Sequence, residues 1–245
     1  MPRYKAIVEY NGTGFEGWQS QSSGNTIQQL IEKSLSDIQL NKIKIFGSGR
    51  TDSGVHALGQ VFHFDYNKEL DCKRVLLGIN HYLKKKYISI LSMVSTSDNF
   101  DSRRDARLRT YRYKILNRIA FPAILENQVW HIKKNLDFEL MKKASALFLG
   151  SHDFTTFRAS SCEATSPLRE IILSDLKKHD DEIIYTIKSR SFLQHQVRSM
   201  VGAIKAVGEN KWTLKDFDIA LKSKDRNKCA TPAPACGLYL VSVEY

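Results

Sequence analysis

The stretch FGSGRTDSGVHALGQVFHFDY, Phe46 to Tyr66, sets a glycine-rich turn against a strand. Gly47, Gly49, Gly54 and Gly59 punctuate it, and Arg50, Asp52 and His56 are its chemistry-bearing residues. Ile43 to Phe46 reads as a short strand, and Gln60 to Tyr66 alternates as a strand should. Two strands therefore follow one another with no helix between them. Working outward, Tyr4 to Tyr10 reads as a first strand, followed by a glycine loop. NTIQQLIEKSLSDIQL, Asn25 to Leu40, then carries one helical stripe of Ile27, Leu30, Ile31, Leu35 and Ile38. Thr26 and Gln29 have capping-box spacing at its start.

Asp71 is placed to cap a helix carrying Val75, Leu76, Ile79 and Leu83, and Tyr87 to Val94 returns as a strand. Further along, the spacing predicts a strand at Thr110–Leu116 and a helix from Asp137 to Leu149. Strands near Arg169–Leu176 and Ile183–Ser189 follow, then helices over Leu193–Val207 and Thr213–Lys222, and LYLVSV closes the chain as a strand. Strands and helices mix without strict βαβ alternation, so the fold class reads as α+β with a largely antiparallel sheet. Two comparable halves dividing near residues 104–107 fit this order.

The chain has 245 residues, enough for one large domain or two ordinary ones, and a formal net charge of +11. Such an excess favours a polyanionic partner, nucleic acid before an anionic membrane surface. No apolar signal core or membrane-length run is present. Cys72, Cys162, Cys229 and Cys236 are scattered, which suits reduced cytosolic thiols and neither a disulfide framework nor a zinc site. No His-Glu-x-x-His pattern calls for a metal.

Two glycine patterns invite a nucleotide reading and fail. GTGFEG, Gly12 to Gly17, follows a strand, but Trp18, Gln19 and a polar run separate it from the next helix. A dinucleotide fingerprint needs the helix to begin within the glycines. Gly49 to Gly54 has phosphate-loop spacing, but Val55 and His56 stand where Lys and Ser/Thr are required.

Arg50 and Asp52 read structurally as a surface ion pair or an Asx-turn. Functionally, a cation within about 4–6 Å lowers an Asp pKa by roughly 1–3 units, suiting a nucleophile or electrostatic stabiliser. Glycoside hydrolysis normally needs a second carboxylate, and no acidic residue follows Asp52 before Asp65. His56 fits a structural role as well as an acid/base one. From Arg103 to Arg118 arginines alternate with tyrosines. Tyr111, Tyr113 and Ile115 would share one strand face and Arg112 and Lys114 the other. Tyr113 suits the core equally well, whereas Tyr111 has basic residues on both sides, as a ring that holds an unstacked RNA base does. In FLQHQVRSMVGAIKAVG, Leu193, Val197, Val201 and Ile204 form a stripe, and Arg198 lies off it towards a cleft or solvent.

These residues together resemble the tRNA pseudouridine synthase A family. The matching pieces are YNGTGFEGWQ, TIQQLIE, GRTDSGVHALGQVFHF, the Phe100, Arg103 and Ala106 spacing before RTYRY, LGSHDFTTFR, FLQHQVRSMVG and APACGLYLVSVEY. They run in family order nearly end to end, and GRTDSGVHA is the most specific. Ser53 stands where the family usually has alanine and Lys84 where it usually has proline, and DSRRDA, Asp101 to Ala106, is an unusual version of its segment.

The resemblance implies isomerisation of uridine to pseudouridine at positions 38, 39 and 40 of the tRNA anticodon stem-loop. It implies a cytoplasmic homodimer, with no metal or organic cofactor. It also implies two similar α/β halves, residues 1–105 with the catalytic Asp loop and 106–245 with the base-packing Tyr and a basic helix, joined around a basic central cleft. Asp52 would be the nucleophile, Tyr111 the residue packing on the target base, and Arg50 and Arg198 basic residues of the active site. A non-catalytic basic RNA-binding protein is the alternative reading.

Overall fold

In the computed structural model, which describes residues 1–22, 24–39 and 42–245, the chain runs β1 (Arg3–Tyr10), α1 (Ile27–Gln39), β2 (Phe46–Gly47), β3 (His56–Asp65), α2 (Cys72–Leu83) and β4 (Ile88–Thr96). It continues with β5 (Leu108–Asn117), β6 (Trp130–Ile132), α3 (Phe138–Ala146), β7 (Gly150–Asp153), β8 (Leu168–His179), β9 (Glu182–Ser189), α4 (Gln196–Gly208), α5 (Leu214–Lys222) and β10 (Leu238–Glu244). The fold is α+β with largely antiparallel strand pairing.

Two compact units are formed, Met1–Arg107 with Tyr239–Tyr245, and Leu108–Leu238. In the first, β1 lies between β4 and β3, antiparallel to both, and β10 joins β3 in parallel. In the second, β9 lies between β5 and β8, all antiparallel, with β7 beyond β8 and β6 parallel to β5.

Helix starts follow their caps. Asp71 accepts from the Arg74 amide at 3.0 Å and Asp137 from Leu140 at 2.9 Å. Thr213 and Asp216 form a reciprocal capping box. Such caps satisfy amides that the first helical turn leaves unpaired. In α1 the Thr26 hydroxyl donates to Gln29 at 2.7 Å, while Ile27, Ile31 and Leu35 are fully buried. Leu40, the last residue of the expected helix, lies outside the described residues.

Three elements depart from the sequence expectation, each for a visible reason. The short strand is confined to Phe46–Gly47 because α1 side chains take the backbone groups before it. Ser36 accepts from Ile43 N, Glu32 accepts from Ile45 N, and Gln28 donates to Ile45 O. The strand after the glycine loop begins at His56 and is buried on both faces, so its alternation marks no solvent side. The fourth helix begins at Gln196 instead of Leu193, since the Gln196 side chain accepts from Leu193 N at 2.8 Å and His195 adopts a left-handed conformation, φ 61°. The strands β6 and β7 lie where the sequence analysis places none.

Candidate active site

Asp52 is carried by the loop between β2 and β3. Ser48 N donates to Val61 O at 2.8 Å and Gln60 Nε2 to Gly49 O at 2.9 Å, closing the loop's base. Val55 N donates to Asp52 O at 3.1 Å, turning the chain back into β3. Asp52 is half-buried and Arg50 is exposed.

The segment that holds this loop is GTGFEGW. Trp18 N donates to Thr51 O at 3.1 Å, and Phe15 O accepts both Gly54 N at 3.3 Å and the Ser53 hydroxyl at 2.9 Å. Gly12 N donates to His56 Nδ1 at 3.1 Å. The approach is close enough to require glycine twice. A Cβ at Gly12 would overlap the Val55 carbonyl, and one at Gly17 would lie 2.5 Å from Thr51 O, with φ there at +97°. The next helix starts only at Ile27, and its first amides are already taken, Ile27 N donating to Gly17 O at 3.2 Å and Gln28 N to Trp18 O at 3.0 Å, so they are not open to a phosphate and the glycines grip the Asp52 loop.

Two residues missed in the sequence analysis complete the grip. The hydroxyls of Tyr10 and Thr51 are 2.8 Å apart and buried. His56 is 2% exposed, its Nδ1 accepts a backbone amide, and its ring stacks on Tyr239 at 4.6 Å. That arrangement makes His56 a structural residue of the loop. The only sequence signal for this set was the cluster of glycines in GTGFEG at the end of β1.

A second polar group spans β1, β3 and the segment 100–105, with Arg3 opposite Asp65. Arg3 holds Asp65 through two bonds, at 2.7 and 2.8 Å, and donates to Phe100 O at 2.8 Å. The Asp65 carboxyl is held below its ordinary value by that hydrogen bond to Arg3. His63 is lowered by burial first and then by the Arg3 charge, and its Nδ1 accepts from Ser102 N at 3.1 Å. Ser102 in turn donates to Phe46 O at 2.6 Å and accepts at its carbonyl from Tyr245 at 2.7 Å. The DSRRDA segment, Asp101 to Ala106, is thereby fixed, with the Asp101 carboxylate accepting from the Arg103 and Arg104 amides at 2.8 and 2.9 Å.

In the second unit, Tyr111 lies opposite Ile187 on β5, and its ring meets Phe192 edge-on at 5.2 Å. It is half-exposed, whereas Tyr113 two residues on is fully buried with its hydroxyl donating to Pro234 O at 2.7 Å. Arg198 is half-buried; its Nε donates to Ala233 O at 2.8 Å, and its carbonyl accepts from Ala233 N at 2.9 Å. The side chain is thus tied to the 231–234 segment instead of running free into solvent. Among the described residues no group of three His, Cys, Asp or Glu side chains is placed to hold a metal ion. No described helix is long and apolar enough to cross a membrane.

The family described as tRNA pseudouridine synthase matches residues 6–103 and 144–245. A tRNA pseudouridine synthase A of Pelagibacter ubique is 49% identical over the whole of both chains. Those of Maricaulis maris and Parvibaculum lavamentivorans are 41% and 40% identical, covering all of this chain and 98% and 100% of theirs. With a family match across both units and full-length relatives at this identity, the chain belongs to the tRNA pseudouridine synthase family, whose members are isomerases.

Proposed function

We propose that the chain isomerises uridine to pseudouridine at positions 38, 39 and 40 of the tRNA anticodon stem-loop. We further propose that it works as a cytoplasmic homodimer without metal or organic cofactor. Asp52 is the nucleophile, Tyr111 packs on the target base, and Arg50 and Arg198 supply positive charge to the active site. The observation that carries this reading is the Asp52 loop itself. The stretch GRTDSGVHA is gripped by five hydrogen bonds from Tyr10, Gly12, Phe15 and Trp18, while Asp52 stays half-exposed.

The reaction breaks the bond from the ribose to N1, turns the uracil, and joins the ribose to C5. The C5 proton leaves and N1 regains one, so no water is consumed and one carboxylate suffices. Attack on the sugar carbon, attack on the ring and proton removal from the ribose all call for an anionic group held at one place. The grip on the loop supports such a role, because pre-organised groups need little reorganisation as the barrier is crossed. Flipping the base out of its stack costs a few kcal/mol, and an aromatic platform such as Tyr111 returns roughly 1–3 kcal/mol.

The test is Asp52→Asn, read by tritium release from C5-labelled uridine in tRNA. Product formation is expected to vanish while tRNA affinity changes less than roughly tenfold, since phosphate contacts supply most of the binding. Substantial turnover by the variant would remove Asp52 from the role. A wild-type chain that binds tRNA with steep salt dependence yet forms no pseudouridine would establish the non-catalytic alternative.

A further inference from the structure

At the end of α2 the chain reads His81-Tyr82-Leu83-Lys84-Lys85-Lys86-Tyr87, and of these seven residues only Leu83 is buried. Lys84–Lys86 form a single tight helical turn, closed by Tyr87 N donating to Lys84 O at 3.3 Å. Tyr87 is left-handed, with φ 53° and ψ 37°, and its side chain is 75% exposed; that of Tyr82 is 57% exposed. Glycine or asparagine normally takes the left-handed position that ends a helix. A bulky residue there is an outlier, and such strained positions cluster at functional sites. A ring left in solvent recovers little by burial, so packing does not account for a tyrosine at this place.

The turn adjoins the machinery of the first unit. Tyr87 O accepts from Asn11 N at 3.0 Å, one residue before the glycine that abuts Val55. Ile88, Tyr10 and Ala57 are in register across β4, β1 and β3. Adjacent strands lie about 4.8 Å apart, so roughly 10 Å separates the backbone just after the lysine turn from that just after the Asp52 loop. Three consecutive cations flanked by two exposed rings fit a partner that offers both phosphates and unstacked bases.

We propose that Lys84, Lys85 and Lys86 bind backbone phosphates of RNA outside the target nucleotide, and that Tyr87, assisted by Tyr82, stacks an unpaired base there. The proposal rests on the reading of the chain as acting on tRNA, and it adds a docking patch to the same unit as Asp52.

The experiment measures binding of unmodified tRNA to the full chain over a range of potassium chloride concentrations. Three variants are compared with wild type: Lys84→Gln/Lys85→Gln/Lys86→Gln, Tyr87→Gly and Tyr87→Phe. The triple variant is expected to lower the slope of log affinity against log salt by about 2 to 3, since each phosphate contact contributes roughly 0.7–0.9. Tyr87→Gly is expected to weaken binding about tenfold, in line with the loss of one stacked base. Its melting temperature should hold or rise, because glycine adopts the left-handed region freely. Tyr87→Phe keeps a ring and should keep binding.

A triple variant with wild-type slope and affinity would overturn the proposal. So would loss of binding only to phosphatidylserine-containing vesicles with tRNA binding intact, which would make the patch a membrane contact. Unchanged binding with a lowered melting temperature in Tyr87→Gly would assign the tyrosine to the fold and remove it from the patch. Binding is read without turnover. If wild type binds tRNA with the expected variant effects but forms no pseudouridine, the catalytic reading alone falls.

Discussion

The hydroxyls of Tyr10 and Thr51 meet at 2.8 Å inside the first unit, tying the end of β1 to the residue before Asp52. Both residues are buried, at 4% and 7% exposure. Removing one hydroxyl leaves the other without this partner, at a cost of about 1–3 kcal/mol in stability. Tyr10→Phe is therefore expected to lower turnover while leaving KM for tRNA close to wild type, because the phosphate contacts are untouched. A carboxylate misplaced by about 1.4 kcal/mol in barrier loses tenfold in rate. Thr51→Ser keeps the hydroxyl and should keep the rate. Tritium-release kinetics with denaturant titration of each variant separates rate from stability.

Gly12→Ala should be far more damaging to turnover than Gly14→Ala. A methyl at Gly12 overlaps backbone at Val55, three residues beyond Asp52, while Gly14 has open space around it. Overpacking of this kind costs about 1–3 kcal/mol and shifts backbone. Gly14 has φ +79°, so its alanine variant carries a left-handed penalty of about 1–2 kcal/mol without moving the Asp52 loop. Thermal melts and turnover measured together would show comparable stability losses and very different rates.

Acid should destabilise the first unit in two stages. His63 has its folded value lowered, so the unfolded chain takes up a proton first as pH falls below about 6.5. Its contribution is present above that value and is lost as pH falls towards the folded one. Asp65 is also lowered, through Arg3, so its contribution is present above about 3.9 and lost as pH falls through its folded value. Unfolding free energy followed from pH 7.5 downward should show both, and Asp65→Asn should shrink the lower stage, leaving the part that belongs to Asp101, whose carboxyl is also lowered, against the effect of burial, by the Arg104 and Arg103 amides. An NMR titration of His63 should give a midpoint below the ordinary histidine value.

Tyr111 and Tyr113, neighbours on one strand face, should separate function from stability. Tyr113→Phe leaves the partly buried Pro234 O without its donor and should cost about 1 kcal/mol. Tyr111→Ala removes a half-exposed ring and should cost less stability but most of the pseudouridine formation. Equal effects of the two on melting temperature and product would contradict the division.

Much of this protein is legible locally. The stripe of Ile27, Ile31 and Leu35, the caps at Asp71, Asp137 and Thr213, and the strand that carries Tyr111 all depend on residues within a few positions of one another. Asp52 stood out too, as a lone carboxylate among glycines beside an arginine. What the loop around it rests on was not legible, because its hydrogen-bond partners come from the end of β1 and the glycines after it, some 40 residues away. The same cause explains the shortened β2, whose backbone is taken by side chains of α1, and the role of GTGFEG as a clamp. It also explains why the last strand, from Tyr239, belongs to the first unit beside β3. Caps and apolar spacing act over one or two helical turns and can be read along the chain. Pairing of loops and strand edges is decided by which distant backbone arrives to satisfy each N–H and C=O, and only the folded structure brings those groups together.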